Sequence, residues 1–270
     1  DSKRRLIDNG DENPDNTSLI LISHSLNKPK SWVLTHGEYQ LTPSDNNALH
    51  TAFERYLKGV PLPYLLEEWA FFGRRYKVTP DVLIPRPETE LLVESAIAFG
   101  KQKTNLSIID VGTGSGIIAV SLAAAFPGAN LIAVDLSMPA LKIAKENAQI
   151  HHQNQIKFVQ ANLMKPFEGH FDLICANLPY IPSGTLEKLP VGKWEPQMAL
   201  DGGTSGLVLI EQLLIQAENK LARGGCILLE IESSLGQESM ELAKNIIPNS
   251  ERQLIQDLRD KDRLIQITLP

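Results

Sequence analysis

From residue 106 onward the chain alternates short apolar runs with helix-forming stretches, and this alternation restricts the fold more than any other feature. The apolar runs are LSIIDV, NLIAVD, IKFVQANL, FDLICAN and GGCILLEI. Between them lie IIAVSLAAAF, PALKIAKENAQI and GLVLIEQLLIQAENKL, which have helical length and spacing. Repeated strand–helix units imply a parallel sheet with helices on both faces, joined by right-handed crossovers. The end of the chain, RQLIQDLRDKDRLIQITL, reads as two more strands around a charged turn. The expectation is a doubly wound, mostly parallel α/β sheet of seven strands closed by an antiparallel pair.

The first part of the chain has a different pattern. Residues 1–16 are polar and poor in core formers, which predicts a frayed tail or a weak helix. LILISHSL and ALHTAFERYL read as helices, with Leu49, Phe53, Tyr56 and Leu57 on one face. GEYQLTPSDNN between them reads as a loop in which Thr42 or Ser44 could cap the next helix, and Gly59, Pro61 and Pro63 end the stretch. WAFFGRRYKV is aromatic and β-prone, a short hairpin. A chain of 270 residues has room for one large and one small domain. We therefore expect a small helical domain over 1–75, a hairpin linker to about 82, and a larger domain over 83–270.

Composition narrows the function classes. A net charge of −6 argues against a broad nucleic-acid surface, which needs basic residues. No apolar run approaches the ~20 residues of a membrane span. Cys175 and Cys226 both sit in strand-like runs with no second ligand at zinc spacing, so they read as core thiols, and no metal is expected. Few cysteines and no signal sequence suit the cytoplasm. The chain begins at Asp1, so a targeting segment for an organelle could precede it. A monomer is expected.

Two features carry chemistry. The first is Asp110-Val111-Gly112-Thr113-Gly114-Ser115-Gly116, set between a strand and a helix. Glycines there let a ligand approach bare peptide groups. The spacing G-x-G-x-G weakens a dinucleotide reading. The next strand ends in Asp135, 25 residues beyond Asp110, where a carboxylate can accept both protons of a ribose diol. The bland alternative is an ordinary turn with Asp135 as a helix cap. Asn162 at the end of the third strand could meet an adenine amino group, with Leu163 packing its ring, or the pair could simply form a turn. Asp110 beside the loop suits a cationic sulfonium better than a diphosphate, which favours S-adenosyl-L-methionine and methyl transfer over hydride transfer.

The second feature is Asn177-Leu178-Pro179-Tyr180, at the end of the fourth strand and so on the ligand-binding edge of a doubly wound sheet. An amide or amino nitrogen is a poor nucleophile because its lone pair is delocalised. The Asn177 side-chain oxygen and the Leu178 carbonyl can each accept one N–H of a planar amino group and so aim the nitrogen at a methyl donor. Tyr180 offers a face for stacking and Pro179 stiffens the turn. A plain strand-ending turn is the alternative.

The tetrapeptide resembles the N-P-P-Y and N-L-P-Y motifs of amino-group methyltransferases acting on adenine, cytosine or glutamine. LIPRPETE (83–90) and EPQMALDGG (195–203) resemble signatures of the protein-(glutamine-N5) methyltransferases of peptide chain release factors, and the likeness extends from about residue 18 onward through SWVLTHGEYQLT and GVPLPYLLEEWAFFG. It implies a Rossmann-like class I methyltransferase fold with a small N-terminal helical domain that docks the substrate. It also implies a cofactor site of Gly112, Thr113, Gly114, Ser115, Gly116, Asp135, Asn162, Leu163 and Asn177. Asn177, Leu178, Pro179 and Tyr180 would grip the glutamine amide of the Gly-Gly-Gln loop, with Asn177, Pro179 and Tyr180 as the catalytic set. The chain departs from the family at Leu178, where proline is usual, and at Asn162, where aspartate is usual.

Some residues stay open between two readings. Arg86, with Glu88 or Glu90, could line the mouth of the substrate pocket between the domains, or form ion pairs and a cap before the helix beginning at Thr89. Glu195 and Pro196 could close the pocket from the insertion after the fourth strand. His151 and His152 read as solvated residues after a helix. The competing functions are an adenine-N6 methyltransferase on DNA or RNA, which would need base flipping and a positive surface, and a non-catalytic module that kept the fold.

Overall fold

The structure is a computed structural model that describes residues 2–270. The chain divides into two compact units, Asp1–Glu68 and Trp69–Pro270.

The first unit is helical: α1 (Ser2–Asp8), α2 (Pro14–Ser25), α3 (Lys30–Thr35), α4 (Pro43–Leu57) and α5 (Leu62–Leu66). Local chemistry starts two of them. Asn13 accepts the Asn16 N–H ahead of α2, and Thr42 and Asp45 form a reciprocal capping box ahead of α4, with proline at the first helical position of each. That box brings helix into residues 43–47, which were expected to be loop. Of the frayed tail or weak helix expected over 1–16, the structure has the helix, α1, and it is anchored. Leu6 on α1 is fully buried with Leu21, Phe53 and Leu65, and Asp11 accepts the Tyr56 hydroxyl at 2.6 Å. A polar segment is thus held by one leucine and one carboxylate. α3 has no counterpart among the expected helices.

The second unit opens with a hairpin of β1 (Glu68–Phe71) and β2 (Arg74–Lys77), followed by α6 (Thr89–Gly100), β3 (Ser107–Val111), α7 (Ile117–Ala125), β4 (Asn130–Asp135), α8 (Met138–Ile150), β5 (Lys157–Gln160) and β6 (Phe171–Ala176). Then come α9 (Ser183–Leu186), α10 (Val208–Ala217), β7 (Leu221–Glu230), α11 (Gly236–Ile246), β8 (Glu251–Gln256) and β9 (Asp262–Thr268). The sheet order is β5-β4-β3-β6-β7-β9-β8, with β3 to β7 parallel and β9 antiparallel to both its neighbours. The seven-stranded, mostly parallel sheet anticipated from the sequence is therefore present. Because side chains alternate across a strand, Ile108, Leu173 and Leu228 face α6 and α7, while Ile109, Ile174 and Ile227 face α10 and α11. Cys175 and Cys226 are free, buried thiols within the first of these cores. No helix among the described residues is long and apolar enough to cross a membrane.

Candidate active site

After β3 the chain runs outward to β4 and β5, and then returns to place β6 on the other side of β3. A crevice opens at such a reversal, beyond the carboxyl ends of the two central strands. Val111 and Ala176 are register partners, so the residues that follow them, Gly112 and Asn177, flank the crevice. A cavity of about 300 Å³ lies here. Gly112, Thr113, Gly114, Ser115, Asp135, Asn162, Leu163, Asn177, Leu178, Pro179 and Arg86 all line it. Residues spread from 86 to 179 in sequence thus meet on one wall.

The glycine loop is shaped by its backbone. Gly112 and Gly114 have φ of 74° and 53°, a region where a side chain is strained, and the N–H groups of Gly112 and Thr113 both donate to Val134 O at 2.8 Å. Gly116 was expected in the binding loop but is not on the cavity wall. A Cβ there would sit 3.0 Å from Ala144 Cα, so this glycine lets α7 pack against α8. Asp110 also stands apart from the wall. It is fully buried, and its Oδ2 accepts the Thr113 hydroxyl at 2.6 Å and the Ala119 N–H at 3.1 Å, while Oδ1 has no partner. Burial, partly opposed by those hydrogen bonds, pushes its pKa up to about 7. The expectation that Asp110 offers its charge to a ligand is corrected: it braces the loop. Asn147 on α8 does similar work unsignalled by the sequence, donating to Ser115 O and Lys77 O and accepting the Lys77 N–H.

Asp135 sits on the wall with part of its capacity in use. Oδ2 accepts the Gly114 N–H at 2.9 Å and Oδ1 accepts the Ser137 N–H at 2.8 Å. The Leu136 N–H also acts on this carboxylate, and with two acceptor sites on each oxygen at least one remains for a ligand. Burial raises its pKa, with the Ser137 and Gly114 N–H groups pulling it down. The next corner is made by Leu163, which has φ of 53° and leaves Asn162 exposed on the wall.

Asn177, Leu178 and Pro179, after β6, form the wall shared with a second cavity of about 100 Å³, which Leu83, Arg86 and Tyr180 also line. Asn177 Nδ2 donates to Thr89 Oγ1 at 3.0 Å, which leaves the side-chain oxygen available as an acceptor. Leu178 is buried, and its Cδ2 packs over Gly112. Tyr180 lines only the second cavity, and its hydroxyl donates to Glu230 Oε1 at 3.4 Å. Burial pushes the Tyr180 pKa well up, so it stays protonated.

The insertion 181–203 folds back beside this segment. Ile181 and Gly202 exchange backbone bonds with Leu200 and Ile181, and Asp201 Oδ1 accepts both the Ser183 hydroxyl at 2.7 Å and the Gly203 N–H at 2.9 Å. A Cβ on Gly202 would lie 2.7 Å from both Pro179 O and Tyr180 Cα. The Asp-Gly-Gly run therefore exists to let the insertion lie against the tetrapeptide. Glu195 lines neither cavity; it accepts the Ile84 N–H at 3.0 Å and pairs with Arg86 at 2.5 Å, clamping the insertion to the segment before α6. Pro196 and Met198 do reach the main wall. Arg86 lines both cavities. Glu88 lies 3.6 Å from Arg263, and Glu90 accepts the Phe72 N–H at 2.7 Å, so one forms an ion pair and the other holds the turn between β1 and β2, and neither side chain caps α6. His151 is more than a solvated residue: Nε2 bonds Arg75 O at 2.7 Å, and the ring lies 4.7 Å from Tyr76. His152 is exposed.

Known proteins resemble this chain over most of its length. Residues 88–189 match the family described as Methyltransferase small domain, and residues 1–66 match the PrmC N-terminal domain. The release factor glutamine methyltransferase of Moorella thermoacetica is 36% identical over 263 residues, covering 96% of this chain and 93% of that protein. The enzyme of the same description from Lactococcus lactis subsp. lactis is 36% identical over 246 residues, 90% of each chain. Among solved structures, the T. thermophilus 16S rRNA N2 G1207 methyltransferase, in complex with AdoMet and guanosine, superposes with a TM-score of 0.56 at 16% identity over 75% of this chain and 50% of that one, a likeness of fold.

Proposed function

This chain belongs to the release factor glutamine methyltransferases, and from that membership we propose that it transfers a methyl group from S-adenosyl-L-methionine to the side-chain amide nitrogen of the glutamine in the Gly-Gly-Gln loop of peptide chain release factors. The observation that carries the reading is the Asn177–Pro179 segment on the wall common to the two cavities, with Tyr180 on the smaller one. The larger cavity suits the cofactor and the smaller a planar amide.

The chemistry of the larger wall fits that cofactor. Gly112 and Gly114 leave peptide groups bare for its amino-acid end, Asp135 keeps acceptor capacity for ribose hydroxyls, and Asn162 and Leu163 flank the place of a flat base. When bound, the cofactor supplies an electrophilic methyl group. The Asn177 side-chain oxygen and the Leu178 carbonyl accept the two N–H groups of the substrate amide and hold its nitrogen in line. Orientation of this kind contributes up to ~7–11 kcal/mol to lowering a barrier. The Arg86–Glu195 clamp holds the insertion that brings Pro196 and Met198 to the cavity wall.

The helical unit is read as a docking surface, since a glutamine on a folded protein must be presented by contacts beyond its own side chain. Leu34, Tyr39 and Leu41 are exposed there, close in sequence to the stacked pair Trp32 and His36. The enzyme is read as a cytoplasmic monomer. Incubation with methyl-labelled S-adenosyl-L-methionine and either purified release factors or nucleic acid tests the assignment. N5-methylglutamine in the Gly-Gly-Gln peptide supports it, and label on adenine in nucleic acid overturns it.

A further inference from the structure

An asparagine amide has nearly the same shape at both ends, so packing does not choose which end faces a ligand; hydrogen-bond partners do. Asn177 turns its nitrogen to Thr89 Oγ1. Thr89, almost fully buried at the start of α6, can donate as well as accept, and alone would satisfy either end of Asn177. The direction is set one residue further back.

Glu230, the last residue of β7, is 2% exposed and lines neither cavity. Its carboxylate faces the side chains of Thr89, Tyr180 and Asn177. Oε1 takes the Tyr180 hydroxyl, while the buried Oε2 has no hydrogen-bond partner. Glu88 also acts on it from the segment before α6. Arg263, on the strand beside it, is engaged by Asp257 at 2.8 Å and by Glu88 at 3.6 Å. Above a pH of about 7, the value to which burial raises its pKa, Glu230 is ionised and only accepts hydrogen bonds. Thr89 must therefore turn its proton toward Glu230, its oxygen must accept from Asn177, and Asn177 is left with its oxygen toward the cavity.

We propose that Glu230 is a positioning residue that, through Thr89, fixes the orientation of the Asn177 amide and so makes the acceptor slot select an amide over a carboxylate. The inference rests on reading the slot as the glutamine site. A site that presents an oxygen from Asn177 and another from Leu178 welcomes an N–H pair and repels a carboxylate. Reversing Asn177 exchanges one of those acceptors for a donor.

Glu230→Gln keeps shape but adds a donor that can reverse Thr89 and then Asn177. Turnover of an intact release factor should fall roughly tenfold to a hundredfold, the effect of one mispaired buried group, with affinity for S-adenosyl-L-methionine unchanged. A release factor carrying glutamate at the target position should inhibit the wild type weakly and gain roughly tenfold in relative potency against Glu230→Gln. At saturating cofactor the wild type should lose turnover as pH falls through about 7, where Glu230 gains a proton and can itself donate; Glu230→Gln should lack this limb. Thr89→Val should match the loss, and Thr89→Ser should recover most of it. The labelled side-chain amide of Asn177, followed by NMR without substrate, should shift in Glu230→Gln. Wild-type turnover in Glu230→Gln overturns the proposal. So does reduced turnover with the competitor ratio and the Asn177 resonances unmoved, since Glu230 would then only support packing. Wild-type enzyme that ignores release factors while those resonances still move would reject the substrate reading and keep the orienting role.

Discussion

Asp135→Ala separates binding from loop stability in a way the sequence does not suggest. The carboxylate has two sets of partners: the Gly114 and Ser137 N–H groups, at 2.9 and 2.8 Å, and the ligand donors its remaining acceptor sites await. Loss of hydrogen bonding to a charged acceptor weakens binding by about 1.5–3 kcal/mol, roughly a tenfold to 150-fold rise in the Kd for S-adenosyl-L-methionine. The two backbone donors lose their partner as well. Gly114 and Ser137 both line the cavity, so water reaches them and the folding penalty falls at the low end of ~1–3 kcal/mol. Asp135→Asn is no milder a test, because both oxygens accept N–H groups and an amide nitrogen opposes one of them. It should bind about as poorly as alanine. Calorimetric titration gives the affinity and denaturant unfolding the stability. Burial raises the Asp135 pKa, so parent affinity should begin to fall on acidification earlier than an ordinary aspartate would allow. A folded Asp135→Ala that binds the cofactor like the parent removes this residue from the site.

Three further outcomes follow from the geometry. Gly202→Ala forces a methyl group to 2.7 Å from Pro179 O and Tyr180 Cα, so turnover should fall by tenfold or more while cofactor affinity changes little; normal turnover would mean the insertion yields freely. Asp110→Asn should gain stability over the parent as pH rises. The folded pKa of about 7 lies above the ordinary 3.8, so the stabilisation from the protonated carboxyl is full below about pH 4 and lost through pH 7, a span of about 4 kcal/mol at most; parallel stability–pH curves would refute the assignment. Leu34→Ser with Leu41→Ser should raise KM for intact release factor several-fold without altering cofactor affinity, and an unchanged KM would place docking elsewhere.

Much of this molecule was written in local pattern. The apolar runs predict the strands because a buried parallel strand needs continuous apolar residues. The loop at Gly112–Gly114, the carboxylate at Asp135 and the turn at Asn177–Tyr180 are legible because their chemistry depends on side chains and spacing within a few residues. The sequence did not mark α11, although its apolar stripe packs against β8 and β9, nor the burial of Leu6, because a single leucine in a polar stretch carries no period. Tertiary structure alone decided the rest. Only the sheet order puts Gly112 beside Asn177, and only the folded-back insertion shows that Gly202 serves close backbone approach. The apolar runs around Asp110 and Glu230 mark both as strand carboxylates but do not say what either one faces. Burial made one a brace for the glycine loop and set the other behind Asn177, since the low-dielectric interior, and not the residue type, fixes what a carboxyl group can do.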